Sequence, residues 1–106
     1  MIRIPTWLHR LENRPGDELV VAWDNSTTSG RWPLVVAYSP DGEKTWSGSK
    51  QIANPNPEKG YRADYPTICQ TKEGLIVVVW QEQTLARHLG KELRIARFNR
   101  AWLIQK

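Results

Sequence analysis

The sequence has few of the residues that usually carry disulfides, metals or redox chemistry in small domains. Among 106 residues it contains one cysteine, one methionine and two histidines. The single cysteine, Cys69, excludes an internal disulfide, and its sequence context predicts a small buried side chain. His9 and His88 are far apart and have no metal-ligand spacing around them. We therefore predict neither a metal site nor a cofactor.

Long hydrophobic runs are also absent. The longest apolar run, Leu75 to Trp80, is too short to cross a bilayer, and residues 1–5 lack the apolar centre of a signal peptide. No stretch has the periodicity of a long amphipathic helix. These absences predict a soluble protein without a membrane partner, which would be cytoplasmic if the chain is complete.

The charge balance is basic but dispersed. The formal net charge is +4 and the isoelectric point is about 9.5, which would suit a polyanionic partner. Over most of the chain, however, basic residues alternate with acidic ones, as in Asp41-Gly42-Glu43-Lys44, and no nucleic-acid motif is present. The sequence thus argues against nucleic acid and leaves polyanion binding as an alternative.

The chain contains two copies of one unit, which is the strongest guide to its architecture. Each copy has four candidate strands in the same order. In the first copy they are Ile4–Trp7, Glu18–Trp23, Leu34–Tyr38 and Thr45–Trp46; in the second they are Tyr65–Ile68, Gly74–Trp80, Leu93–Phe98 and Ala101–Trp102. Four of the six tryptophans, Trp23, Trp46, Trp80 and Trp102, occupy equivalent positions in the two copies and are predicted to pack in the core.

A unit of four short strands joined by turns is typical of a β-propeller blade. We predict an all-β chain with two four-stranded antiparallel blades, residues 1–53 and 64–106, joined by a linker over residues 54–63. The second strand of the second copy is apolar at every position and must be covered on both faces, as in stacked blades or in a sandwich.

The turn after the third strand carries the most specific motif. Ser39 and Asp41 can hydrogen-bond the amides of the turn, Gly42 can adopt a positive φ, and Trp46 can pack beside it. The segment resembles the Asp-box, S-x-D-x-G-x-x-W, of sialidase-like β-propellers with BNR repeats. It departs from that pattern at Glu43, where the family has glycine.

Two further segments resemble the later blades of bacterial members of this family. Residues 30–39 are similar to the family's G-R-x-P-L-x-x-A-x-S segment, and residues 65–75 to its Y-P-x-I-x-Q-T-x-D-G-L segment. The resemblance covers residues 18 to 98. Because two blades cannot close a ring, it implies that three copies of the chain form a six-bladed propeller as a homotrimer. A fragment of a longer protein and a two-sheet sandwich are the alternatives.

The resemblance also implies a sugar site. Family sialidases bind the sugar carboxylate with three arginines, and Arg31 resembles one of them; its planar fork suits a carboxylate. Trp32, beside it in the loop after the second strand, could stack on a sugar face. Asp24 and Glu82 follow equivalent second strands and are predicted to hydrogen-bond sugar hydroxyls.

The catalytic pattern of the family is incomplete. The family uses a tyrosine nucleophile assisted by a glutamate, and Ala63 stands where that tyrosine is expected. Tyr61 or Tyr65 could replace it only by a register shift, and Tyr65 is predicted to be a packing residue. We therefore expect a carbohydrate-binding or catalytically degenerate module for sialic acid or another acidic glycan. The alternatives are an active exo-sialidase with a site assembled across subunits, and a structural or polyanion-binding protein.

Overall fold

A computed structural model of the protein describes residues 6–11, 16–25, 33–53, 62–83 and 92–105. Over these residues the chain is mostly β. The strands are β1 (Thr6–Arg10), β2 (Leu19–Asp24), β3 (Leu34–Ser39), β4 (Lys50–Gln51), β5 (Arg62–Gln70), β6 (Ile76–Gln83) and β7 (Glu92–Phe98), followed by the helix α1 (Arg100–Ile104). No helix in these ranges is long and apolar enough to span a membrane.

The strands form two antiparallel sheets, each in sequence order. Sheet A contains β1-β2-β3-β4 and sheet B contains β5-β6-β7. The central strands are rich in valine, a β-branched residue that favours extended backbone. The prediction of an all-β chain with antiparallel sheets is confirmed at this level.

The predicted fourth strands are wrong in both copies. In the first copy, Thr45 lies in the turn, where its hydroxyl donates to Asp41 Oδ2 over 2.6 Å and its backbone amide donates to Asp41 Oδ1 over 2.8 Å. The fourth strand is instead the short β4, which pairs with Val35 and Val36 of β3. The hydrogen bonds to Asp41 thus hold Thr45 in the turn, and the chain pairs with β3 again only at Lys50 and Gln51.

In the second copy the residues expected to form a fourth strand form the helix α1. Asn99 is its N-cap, and its side-chain Oδ1 accepts the Trp102 amide over 2.8 Å. This bond satisfies an amide that the first turn of a helix leaves without a backbone partner. Sheet B therefore has three strands among the described residues.

The turn after β3 has the predicted hydrogen bonds. Ser39 Oγ accepts the Glu43 amide over 2.9 Å, and Asp41 accepts from Thr45. Gly42 has φ +69°, as expected, and Glu43 also has a positive φ, of +77°. The second value explains why the related motif has glycine at this position, since a residue with a side chain is strained there.

One hydrophobic core lies between the two sheets. Alternate residues of the central strands face it, including Val20 and Val36 from sheet A and Ile76 and Val78 from sheet B. Leu103 of α1 closes one end of this core. The packing is that of two sheets stacked face to face, which buries one face of each.

The two outer faces are partly covered. Val21, Val35 and Ala37, on the outer face of sheet A, are all buried within the single chain. On the outer face of sheet B, Leu93 and Ile95 are 75% and 55% exposed. Each outer face thus has a covered centre, since Val77 of sheet B is also buried, and exposed apolar side chains at an edge strand, including Leu8 of β1, which pairs with Val21 and is 49% exposed.

Several predictions about single side chains are corrected by this arrangement. Cys69 is exposed, because β5 is an edge strand and alternation places Cys69 on the outer face with Thr67. Among the four tryptophans predicted to be core residues, Trp80 is buried, whereas Trp23, Trp46 and Trp102 are half-buried.

Strand β5 contains an irregularity that exposes a tyrosine. Its register with β6 shifts between Asp64 and Thr67, where Pro66 provides no amide donor. Tyr65 has φ +54° and is 53% exposed. It is thus not the packing residue that the sequence predicts.

Candidate functional site

The two predicted acidic site residues lie at the ends of equivalent strands. Asp24 is the last residue of β2 and pairs with Leu34, while Glu82 lies near the end of β6 and pairs with Ala63 and Glu92. Both carboxylates are on buried residues, with Asp24 8% and Glu82 6% exposed. The sequence predicts both as hydrogen-bonding partners of sugar hydroxyls, and the structure places both on strands, as buried residues.

Glu82 is held by two neighbours in sheet B. Its Oε1 accepts the Arg94 Nε–H over 3.2 Å, and its Oε2 accepts the Trp80 indole N–H over 3.3 Å. Arg94 Nη2 also lies 2.8 Å from Glu92 Oε2. A buried carboxylate needs such donors, since an unpaired charge out of water is costly. Glu82 is thus held in place by hydrogen bonds from two neighbouring side chains.

A cavity of about 410 Å³ lies against this cluster. Its walls are Ile52 and Ala53 after β4, Trp80 and Glu82 of β6, and Arg94 and Ile95 of β7. The volume is in the range of small-ligand sites. The Arg94 side chain is 44% exposed, so its guanidinium combines a buried partner with access to solvent.

Arg94 was not predicted as a functional residue. The signal for it lies in the pairing of β6 with β7, which places Arg94 opposite Trp80 and next to Glu82 on the core-facing side. The sequence alone gives the two strands but not this register. With the register known, an arginine on the apolar side of a strand indicates a buried acid nearby.

The position of the expected nucleophile is occupied by a small buried residue. Ala63 has no exposed surface and lies directly across from Glu82 in the β5–β6 ladder. A methyl group supplies neither a nucleophile nor a proton donor. The described part of this site therefore contains a carboxylate and a guanidinium, but Ala63 does not supply the phenol of the family's tyrosine.

Arg31 and Trp32, predicted to bind a sugar carboxylate and a sugar face, lie outside the described residues. On either side of residues 26–32, the Asn25 amide donates to the Pro33 carbonyl over 2.8 Å. His88 and Tyr61 also lie outside these residues. Within the described ranges no group of three or more His, Cys, Asp or Glu residues could hold a metal ion.

A second polar cluster contains a tyrosine and a glutamate at the opposite end of β2 and β3 from Asp24. Tyr38 Oη donates to Glu18 Oε1 over 2.8 Å, and Arg100 Nε donates to the same oxygen over 2.6 Å. Burial of Tyr38, with a smaller contribution from its bond to Glu18, raises the pKa of this phenol. The pair therefore keeps the phenol protonated and does not create a phenolate nucleophile.

A larger cavity of about 520 Å³ lies between the edges of the two sheets. It is lined by Gln51, Ile52 and Leu75 and by residues of β7 and α1, among them Phe98 and Trp102. The Trp102 ring already contacts Phe98, at a centroid distance of 4.9 Å, and lies 4.6 Å from Lys50 Nζ. The indole is thus occupied by contacts within the chain.

No protein-family model matches the chain, and comparisons with curated proteins and with solved structures find no match either. The resemblance to sialidase-like proteins therefore depends on the motifs of residues 30–46 and 65–75 alone.

Proposed function

We propose that the chain is a non-catalytic, sialidase-like carbohydrate-binding module whose site is the Glu82–Arg94 cavity. The observation that carries the proposal is the buried Glu82, fixed by Arg94 and Trp80 at the wall of a cavity of about 410 Å³. A fixed carboxylate accepts sugar hydroxyls with little loss of entropy, and a half-exposed guanidinium offers further donors.

The charge of the cavity bears on the kind of sugar. Among the described residues around it, the guanidinium of Arg94 faces two carboxylates, Glu82 and Glu92. This balance suits hydroxyl groups better than a ligand carboxylate. We therefore assign recognition of sialic acid or another acidic glycan to Arg31, as the resemblance to sialidases implies.

A glycan array followed by calorimetry tests the proposal. The wild-type chain is expected to bind a defined glycan, and Glu82→Ala or Arg94→Ala to weaken binding at least about tenfold. Arg10→Ala is a matched control, because Arg10 forms an exposed ion pair with Asp17 away from the cavity. Arg31→Ala is expected to remove any preference for acidic over neutral glycans.

Two results would contradict the proposal. An array without any binding at high protein concentration would remove the carbohydrate-binding function. Binding that is unchanged in both Glu82→Ala and Arg94→Ala would remove this cavity as its site.

An active exo-sialidase with a site assembled across subunits is the first alternative. The buried Ala63 opposite Glu82 counts against it, because the described strand supplies no nucleophile there. We expect no turnover of a fluorogenic sialoside. Turnover that Arg31→Ala abolishes would replace the binding proposal with an enzymatic one.

From the repeat and the resemblance to sialidases we propose that three chains assemble into a six-bladed ring. Its support is the stacking of two sheets within one chain, the contact that neighbouring blades make. A solution mass near three chains would support it. A purely structural or polyanion-binding role is the remaining alternative, and salt-sensitive retention on heparin would favour it.

A further inference from the structure

The cavity of about 520 Å³ between the edges of the two sheets has apolar inner walls. Ile52, Leu75, Ala96 and Trp102 are half-buried there, and Phe98 is buried. Ile52, Ala96 and Trp102 pack against the hydrophobic core, so the cavity is an opening at the edge of that core. A volume of this size with mainly hydrophobic and aromatic walls is typical of a small-molecule site.

The polar residues that line the cavity are all exposed and form its rim. They are Gln51 at the end of β4, Arg97 near the end of β7 and Asn99 before α1. Strand alternation places Arg97 on the side of β7 opposite to Ala96 and Phe98, so its charge is available at the mouth and not inside the cavity. A ligand that fits this division has an apolar body and a polar head.

The charges beside the cavity are positive. Its lining contains one charged residue, Arg97, which makes no ion pair with any carboxylate in the part of the chain that the structure describes. Lys50 Nζ lies 4.6 Å from the centre of the Trp102 ring and donates to the Trp102 carbonyl, and neither partner neutralises it. In the smaller cavity, by contrast, Arg94 is paired with Glu82. The larger cavity therefore suits an anionic head.

The aromatic wall of the cavity is held in place by the chain itself. The rings of Phe98 and Trp102 are 4.9 Å apart, with an angle of 46° between their planes. The Asn99 side chain accepts the Trp102 amide over 2.8 Å, and Lys50 donates to the Trp102 carbonyl. A wall that is already ordered loses little entropy when a ligand binds, and its aromatic rings favour a flat ring as the body of the ligand.

We propose that this cavity binds a small aromatic carboxylate. The ring of the ligand packs against Ile52, Leu75 and Phe98, and its carboxylate stays at the mouth beside Arg97. The site is separate from the sugar site at Glu82, although Ile52 contributes to the walls of both cavities. It does not depend on the resemblance to sialidases.

Calorimetric titration with naphthoate and with naphthamide tests the proposal. The two probes share a ring system, but only naphthoate is charged. Naphthoate is expected to bind at a single saturable site, and naphthamide about threefold more weakly, which is the contribution of a solvent-exposed ion pair. Arg97→Gln should remove this difference. Arg10→Gln is the matched control and should retain it, because Arg10 is an exposed arginine of sheet A paired with Asp17.

The position of the ring is tested by filling the cavity. Ala96→Phe places a phenyl group among the apolar walls and is expected to weaken binding of both probes at least about tenfold. Chemical shifts of the wild-type chain answer the same question if this variant fails to fold. Naphthoate should shift the methyl signals of Ile52 and Leu75 and leave those of Leu8, an exposed residue of β1, unchanged.

Several results would overturn the proposal. Absence of saturable naphthoate binding up to about 1 mM would remove the site. Equal affinity of the wild type for the two probes would remove the preference for a carboxylate, and a preference that persists in Arg97→Gln would remove Arg97 from the site. Shift changes at Trp80 and Arg94 without any at Leu75 would assign the probe to the smaller cavity.

Discussion

At the scale of single residues, Glu18, Tyr38 and Arg100 form a hydrogen-bonded cluster of polar side chains. Glu18 and Tyr38 are buried at one end of sheet A, and Arg100 reaches them from α1 at the other end of the chain. The Arg100 guanidinium also lies 5.8 Å from the centre of the Tyr38 ring. The cluster therefore ties the C-terminal helix to the first sheet.

Removing the phenol hydroxyl tests the strength of this cluster. Tyr38→Phe leaves the ion pair of Glu18 and Arg100 intact and is expected to lower the free energy of unfolding by about 1 kcal/mol, the net value of one buried hydrogen bond. Urea denaturation measures the change. Arg10→Gln, which breaks the exposed pair with Asp17, is expected to have a smaller effect.

The pH dependence of the same variant follows from the raised pKa of Tyr38. In the unfolded chain the phenol loses its proton near 10.0, but in the folded protein it does so at a higher pH. The stabilisation due to Tyr38 is therefore complete below pH 10 and decreases as pH rises through the folded pKa. The stability difference between wild type and Tyr38→Phe should shrink above pH 10, and a constant difference would contradict this account.

Residue-level predictions from the sequence succeeded where the cause is local. The roles of Ser39 and Asp41 in the turn follow from side chains that bond amides a few residues away. The exposure of Cys69 and the role of Arg94 could not be predicted, because each depends on strand register. A shift of one residue would place either side chain on the opposite face of its sheet.

At the scale of elements, the strands β2, β3 and β6 are predictable because their valine-rich runs lie between turn residues. The fourth elements of the two copies are not. In the first copy Thr45-Trp46 lies in the connection after β3, whereas the equivalent pair of the second copy, Ala101-Trp102, lies in the helix α1. Asp41, which accepts two hydrogen bonds from Thr45, and Asn99, which accepts the Trp102 amide, decide between these structures.

The turn after β3 allows a substitution that stabilises the protein. Glu43 is exposed and has φ +77°, a conformation that costs a residue with a side chain about 1 kcal/mol. Glu43→Gly removes this strain, although glycine adds entropy to the unfolded chain, so we expect a net gain of about 0.5 kcal/mol. Denaturation in urea measures it.

Glu43→Ala separates backbone strain from loss of the side chain. Alanine removes the carboxylate but keeps the Cβ atom that makes a positive φ unfavourable. We expect no gain from Glu43→Ala. An equal gain in both variants would assign the effect to the carboxylate instead of the backbone.

The carboxylate of Asp41 should make the same turn sensitive to acid. Hydrogen bonds from the side chain and the backbone of Thr45, together with one from Ser39, hold the pKa of Asp41 below its usual 3.8. Its contribution to stability is present above pH 3.8 and is lost as pH falls through the folded pKa. The stability advantage of the wild type over Asp41→Asn should therefore decrease in acid, which urea denaturation at several pH values would show.

At the scale of the whole molecule, the two repeat copies share one core. Val36 from the first copy and Val78 from the second are fully buried in the same cluster, and Leu103 of α1 closes it. Neither copy can bury its core-facing side without the other. The stability of the two sheets should therefore be coupled, in contrast to domains that fold alone.

Coupling of the two sheets predicts a single unfolding transition. Val78→Ala, which removes two methyl groups from sheet B, is expected to destabilise the chain by about 2 kcal/mol and to lower protection from hydrogen exchange equally in β3 and β6. Residues 1–53 and 54–106, expressed separately, should each lack the circular dichroism of a folded sheet, and mixing them should restore it. Two results would contradict this account: two transitions in a calorimetric scan of the full chain, or a loss of protection confined to β6. Either result would show that the copies are independent units and that the shared core contributes little to their stability.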